Sequence, residues 1–125
     1  MRRYIEFVEA SPFTRHLSSY LNDEDYRRLQ MELASNPEKG DLMPGTGGFR
    51  KMRLADARRG KGRRGGLRLI YYYFASDQQI WLMTIYSKDE AADLTASEKK
   101  ALKAAIDGEL AVRAAGRQKR SKRGK

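Results

Sequence analysis

The chain has 125 residues, 40% of them hydrophobic and 34% charged, which suits one domain with a single packed core. Its formal charge of +10 and pI near 10.0 point to a polyanionic partner, because cations that neutralise phosphates release condensed counterions. It has no cysteine, which excludes disulfides, thiolate metal sites and cysteine nucleophiles.

No apolar run is long enough to span a membrane, and the N-terminal stretch meets Glu6 and Glu9 too soon for a secretory signal, so a cytoplasmic protein is expected. Arg3 to Val8 alternates loosely and reads as a first strand. Ser11-Pro12 reads as a cap and first turn, followed by Phe13, Leu17, Tyr20 and Leu21 at helical spacing. Asn22 to Asp25 restarts a helix lined by Tyr26, Leu29 and Leu33, and Asn36-Pro37 ends it. Glu38 to Gly48 has the composition of a loop.

Phe49 to Ala55 alternates basic and apolar residues as a half-buried strand does. Asp56 to Gly66 is a second loop, dense in Arg, Lys and Gly. Leu67 to Ala75 and Ile80 to Tyr86 are strands joined as a hairpin by a turn at Ser76-Asp77. Thr95 and Glu98 form a capping box that opens a helix burying Leu102, Ala105, Ile106 and Leu110. The last ten residues, 116–125, carry six Lys or Arg and no acid, and are expected to form a disordered basic tail behind a domain spanning 1–115. This order of elements predicts an α+β fold: an antiparallel sheet of about four strands, two N-terminal helices and one C-terminal helix.

Period-2 arithmetic then divides the strands between two faces. Lys51, Arg53, Arg68, Tyr72, Tyr86 and Lys88 fall on one side, opposite a mostly apolar set that includes Trp81, Met83 and Ile85. A one-residue slip would scatter this group. If the faces coincide, the sheet offers cations for phosphates and phenol rings for unstacked bases on one open surface. Arg58, Lys61, Arg63 and Arg64 add a cationic rim from the glycine-rich loop.

Metal-free RNA cleavage needs a base for the 2′-hydroxyl, cations for the phosphorane and an acid for the leaving oxygen. The single histidine, His16, lies on the first helix, where a lone histidine more often serves the surface or packing, so the work falls to lysine, arginine and tyrosine, with clustered cations drawing a lysine or tyrosine pKa toward a useful range. Neither metal nor cofactor is expected. Asp89, Glu90 and Asp93 read as helix-start charges, and the glycines of 44–48 match no nucleotide-binding motif.

Three segments together are specific: Pro44-Gly45-Thr46-Gly47-Gly48-Phe49-Arg50-Lys51-Met52-Arg53, then Gly60 to Tyr73 (GKGRRGGLRLIYYY), then Leu82 to Glu90 (LMTIYSKDE). They resemble the HigB branch of the RelE-like toxins, within the RelE/ParE superfamily, over about Tyr4 to Leu110. The resemblance implies a RelE-like fold and a type II toxin–antitoxin system. It also implies ribosome-dependent cleavage of messenger RNA, with a HigA-like helix-turn-helix antitoxin as partner and operator DNA reached only through that antitoxin.

By the same resemblance Lys51 and Arg53 match the paired cations of the first central strand, and Arg68 matches the arginine that stabilises the phosphorane. Lys61 and Arg64 lie in a loop that supplies further cations, and Lys88 occupies a basic position after the last strand. Arg50, Arg58 and Arg63 join the expected RNA-binding set. Where RelE has an arginine and a tyrosine beyond that last position, this chain has Asp89 and Thr95. The general base is therefore open among Lys51, Tyr72, Tyr86 and Lys88. Two other functions remain compatible with the sequence: a non-catalytic RNA- or ribosome-binding module, and a toxin-like co-repressor that binds DNA with its antitoxin.

Overall fold

The structure, a computed structural model, describes residues 4–56, 66–89 and 94–123. The α+β class expected from the sequence is the class observed. The elements in chain order are β1 (Glu6–Glu9), α1 (Ser11–Tyr20), α2 (Asp23–Ser35), β2 (Asp41–Leu42), β3 (Arg50–Leu54), β4 (Leu67–Phe74), β5 (Gln79–Ser87) and α3 (Ala96–Arg123). Among the described residues the sheet has five strands in the order β1-β5-β4-β3-β2. It is mixed rather than purely antiparallel, because β1 pairs parallel to β5, with Val8 opposite Trp81. The fifth strand, β2, arises inside the segment that reads as loop. Its two residues pair antiparallel with Lys51 and Arg50.

The chain forms two compact units, Met1–Met43 with Phe49–Asp93, and Pro44–Gly48 with Leu94–Lys125. In the first, one sheet face supplies Met52, Leu54, Leu67, Leu69, Tyr71, Ile80, Leu82 and Ile85 to a core closed by Phe13 of α1 and by Leu29 and Leu33 of α2. Burying these side chains drives the fold, at roughly 1.5–3 kcal/mol for each large apolar residue. The Glu9 carboxylate ties three elements together at the end of β1: it accepts from the Thr14 hydroxyl at 2.8 Å and from the Tyr26 hydroxyl at 2.6 Å. Tyr26 in turn packs its ring against Phe13, centroids 5.7 Å apart.

Among the described residues, side-chain caps open α2 and α3. The Asn22 side chain accepts from the Asp25 amide at 2.7 Å and opens α2, whose first turn carries Asp23, Glu24 and Asp25 at the positive end of the dipole. Ser11 does not cap α1. Ala10 holds that position, with no side-chain bond, and Pro12 sits in the first turn. The hairpin between β4 and β5 turns through a single 3₁₀ turn at Ala75–Asp77 and closes on Gln78, in the left-handed region at φ 50°.

In the second unit the capping box is formed reciprocally. The Thr95 amide donates to Glu98 Oε1 at 2.8 Å and the Glu98 amide donates to Thr95 Oγ1 at 3.1 Å. Of the four residues expected to be buried by this helix, Ile106 is buried, Leu102 and Leu110 are half-buried and Ala105 is exposed. Gly47 has φ +78° and passes so close to Ile106 that a Cβ there would lie 2.9 Å from Ile106 Cγ2, which accounts for glycine at that turn. α3 runs past residue 116, where the tail is expected to begin, as far as Arg123. Among the described residues no helix is long and apolar enough to cross a membrane.

Candidate nucleic-acid interface

Residues directly opposite each other in a ladder share a face, so the register settles the face arithmetic. Arg53 is opposite Arg68, and Arg68 is opposite Tyr86, forming one cross-strand row over β3, β4 and β5. Lys51, Ile70 and Thr84 form the next row. Tyr72 follows Ile70 by two residues on the same face. Lys51, Arg53, Arg68, Tyr72 and Tyr86 therefore gather on one side of the sheet, opposite the core that α1 and α2 close. Lys88 lies one residue past β5, exposed, and its amide donates to the Gly66 carbonyl at 3.3 Å.

The face is less open than the sequence suggested. Arg53 is exposed, Lys51 and Tyr72 are half-buried, and Arg68 and Tyr86 are buried, at 4% and 8% exposure. Ile70, Phe49 and Phe74 on the same face are also buried. Arg68 is thus a guanidinium withdrawn from solvent and placed directly across from a second guanidinium. Like charges at opposed positions destabilise a sheet. Arg68 Nη1 donates to the Leu67 carbonyl at 3.2 Å, and among the described residues no carboxylate pairs with Arg68 or Arg53. Such a pair costs folding energy and suits an anion held between them. Asp41 of β2 is the cross-strand neighbour of Lys51.

Arg50, expected with the RNA-binding cations, lies elsewhere. It is opposite Tyr71, on the core side of the sheet, and Nη1 donates to the carbonyls of Glu38 and Gly40 at 3.1 and 2.8 Å. Nη2 reaches the Glu38 carboxylate at 3.4 Å. Tyr71 works beside it: its hydroxyl donates to the Pro37 carbonyl and accepts from the Gly40 amide, both at 2.8 Å. These two side chains hold residues 37–41 against the sheet, so β2 is docked along the edge of β3 next to Lys51. A Cβ on Gly40 would lie 2.9 Å from Tyr71 Cε1 and 3.1 Å from the Lys51 carbonyl, so only glycine allows this approach. His16 is exposed on α1, in the layer on the other side of the sheet. Thr95 is engaged in its cap. Arg58, Lys61, Arg63 and Arg64, with Glu90 and Asp93, lie outside the described residues.

The sequence reading places Trp81 with the core, and the structure corrects this. Between Ile70 and Tyr71 the ladder slips: Ile70 pairs with Thr84 but Tyr71 pairs with Leu82, leaving Met83 as an extra residue in β5. The bulge inverts the alternation beyond it, so Trp81 pairs with Tyr72 and joins the cationic side. A chain of rings results, Phe49 to Tyr72 at 5.3 Å, Tyr72 to Phe74 at 4.6 Å and Phe74 to Trp81 at 4.9 Å between centroids. No period-2 count could have placed Trp81 there.

No protein-family model matches the chain. Among solved structures it is similar to the RelE toxin of E. coli in its isolated form, at 17% identity and a TM-score of 0.48, covering 80% of this chain and 97% of that one. A RelE variant from E. coli with two arginines replaced by alanine, in the free state, gives 16% identity and a TM-score of 0.49 over 70% of this chain and 86% of that one. The archaeal RelE–RelB complex from Pyrococcus horikoshii gives 23% identity and a TM-score of 0.45 over 70% and 98%.

Proposed function

We propose that this protein is a RelE-like toxin of the HigB branch in a type II toxin–antitoxin system. In this reading it acts in the cytoplasm and cleaves messenger RNA on the ribosome without a metal ion. A HigA-like antitoxin restrains it. One observation carries the reading: Arg53, Arg68 and Tyr86, far apart in sequence, stand in a single cross-strand row with Lys51 in the row beside it. The three sequence segments that resemble HigB contribute these four residues.

The chemistry follows from what the row offers. The 2′-hydroxyl oxygen attacks the adjacent phosphorus, its proton passes to a base, and the P–O5′ bond breaks as an acid protonates the leaving oxygen. The products are a 2′,3′-cyclic phosphate and a free 5′-hydroxyl. Arg53 and Arg68 hold the phosphorane oxygens, where fixed donors are worth most in a water-poor site. Tyr86 shares their row and is assigned to proton transfer, with Lys51, Tyr72 and Lys88 as its neighbours in the group. Positioning of the message by the ribosome supplies the orientation that a site without histidine needs.

Arg68 provides the test. Arg68→Met keeps the volume and removes a buried charge that faces another charge, so folding stability is expected to stay level or rise by about 1–2 kcal/mol in urea unfolding. Cleavage, read by mapping new 5′ ends in translated messages, is expected to fall by roughly 10²–10³-fold. A stable Arg68→Met protein that cleaves at the wild-type rate removes the assignment. The burial of Arg68 gives a specific ground for a second reading, a non-catalytic module that grips RNA through exposed Arg53 and Lys88. That reading expects arrested translation with messages left intact.

A further inference from the structure

Displacement at phosphorus sets the attacking and leaving oxygens roughly in line, so a base and an acid belong on opposite sides of the phosphate. On the cationic face the acid side is already occupied. Arg68 of β4 stands between Arg53 of β3 and Tyr86 of β5, which puts the Tyr86 phenol on the β5 side of the two guanidiniums. Their other side is bounded by β2, the next strand of the sheet.

β2 brings a carboxylate to that side. Asp41 is the direct partner of Lys51, and Leu42 of Arg50. Opposed residues share a face, so Asp41 lies on the same side of the sheet as Lys51, Arg53 and Arg68. Arg53 follows Lys51 by two residues and is therefore the diagonal neighbour of Asp41, about 7–8 Å away and within reach of side chains of this length. At about 4.8 Å per strand, Asp41 and Tyr86 are separated by about 14 Å across the sheet, with both arginines between them. Asp41 is exposed. Lysine and phenol side chains ordinarily hold their protons at neutral pH, whereas a carboxylate has lost its own and can accept one at once.

The fold fixes this carboxylate from behind. The buried Tyr71 hydroxyl accepts from the Gly40 amide, and Arg50 Nη1 donates to the Gly40 carbonyl, both at 2.8 Å. The second of these bonds holds the very peptide that joins Gly40 to Asp41. The clamp comes from the core side of the sheet; on the other side it delivers Asp41 to the edge of the cation group.

We propose that Asp41 is the general base of the cleavage reaction, an assignment that rests on the nuclease reading above. Its carboxylate takes the proton of the 2′-hydroxyl as that oxygen attacks phosphorus. Arg53 and Arg68 hold the phosphorane oxygens, and Tyr86 gives its proton to the 5′ oxygen as the P–O5′ bond breaks. Asp41 ends protonated and Tyr86 ends as phenolate, and one proton passed back through water restores both. Lys51, directly across the ladder, offsets the repulsion between this carboxylate and the phosphate.

The experiment uses the full-length protein on translating ribosomes that carry a synthetic message whose cleavage position has been mapped with the wild type. Asp41→Asn keeps the shape of the side chain, and an unchanged thermal midpoint establishes that the fold is intact. Single-turnover cleavage is expected to fall by roughly 10²–10⁴-fold. Added formate, a carboxylate small enough to take the vacated place, is expected to raise the rate of Asp41→Ala and to leave the wild type unchanged. A second message carries sulfur in place of the 5′ oxygen at the scissile bond, a leaving group that departs without a proton. With it the defect of Tyr86→Phe is expected to shrink and that of Asp41→Asn to persist. If the wild type cuts and Asp41→Asn cuts as fast, the base assignment alone is overturned. A folded Asp41→Ala protein that formate does not accelerate overturns it as well, as does an Asp41→Asn defect that vanishes with the sulfur message. A wild type that leaves every message intact removes the nuclease reading itself, and the assignment with it.

Discussion

Tyr71 shows how much one hydroxyl can hold. It is fully buried, and it satisfies both a carbonyl and an amide of the segment that carries β2 to the sheet edge. Tyr71→Phe leaves those two backbone groups without their partner, so urea unfolding should show a loss of about 1–3 kcal/mol. The same residue sets a pH limit. Burial first of all raises the Tyr71 phenol above its ordinary value of 10.0, and Tyr26 is raised for the same leading reason, reinforced by its bond to the Glu9 carboxylate. A group whose folded-state pKa lies above its unfolded value binds more protons when folded. Its contribution is therefore complete below about pH 10 and is lost as pH rises beyond that. Unfolding midpoints measured from about pH 8 to pH 11 should fall at the alkaline end, and Tyr26→Phe with Tyr71→Phe should flatten that fall. A midpoint in the double variant that drops as steeply as in the wild type would place the alkaline sensitivity in other groups.

At the scale of elements, much was legible because alternation in β3 and β4 is regular. Lys51 and Arg53 against Met52 and Leu54, and Arg68 against Leu67 and Leu69, are separated by a simple count of two. The Thr95–Glu98 box and the helix restart at Asn22 to Asp25 are local patterns, so they too could be read directly. The same count sets Arg50 with Met52 and Leu54, away from Lys51 and Arg53, but its partners are carbonyls 10 and 12 residues earlier, and no local pattern encodes them. Trp81 was hidden by the bulge at Met83. The bulge itself makes a test. Deleting a residue from the middle of a strand ordinarily turns one end inside out. Here deletion of Met83 restores plain alternation, with Thr84 still opposite Ile70 and Leu82 still opposite Tyr71. The deletion protein is expected to fold with Trp81 on its present side, so its fluorescence maximum should match the wild type and its stability should change by no more than about 2 kcal/mol. A strong red shift of the emission would mean that Met83 does not set the side on which Trp81 lies.

For the whole molecule the governing quantity is +10. Two sets of cations sit on different units: those of β3 and β4 in the first, and those ending α3 in the second. Excess charge of one sign destabilises the compact state by self-repulsion. Screening reaches about 10 Å at 0.1 M salt, which is shorter than most separations across a domain of this size, so added salt relieves the repulsion between exposed cations. Salt must then act with opposite signs on folding and on binding. Raising KCl from about 20 to 300 mM should lift the thermal midpoint by a few degrees, corresponding to about 1 kcal/mol in a chain of this length. Over the same range the affinity for an RNA hairpin should fall by orders of magnitude, because each phosphate contact takes up its counterions again. Saturating RNA at low salt should stabilise the protein more than salt does, since a ligand that binds only the folded chain adds its binding energy to folding. If the midpoint instead falls with salt in the absence of RNA, attractive ion pairs such as Arg113 with Glu109 and Lys103 with Asp107 outweigh the repulsion. The positive charge would then be no burden that a polyanion relieves.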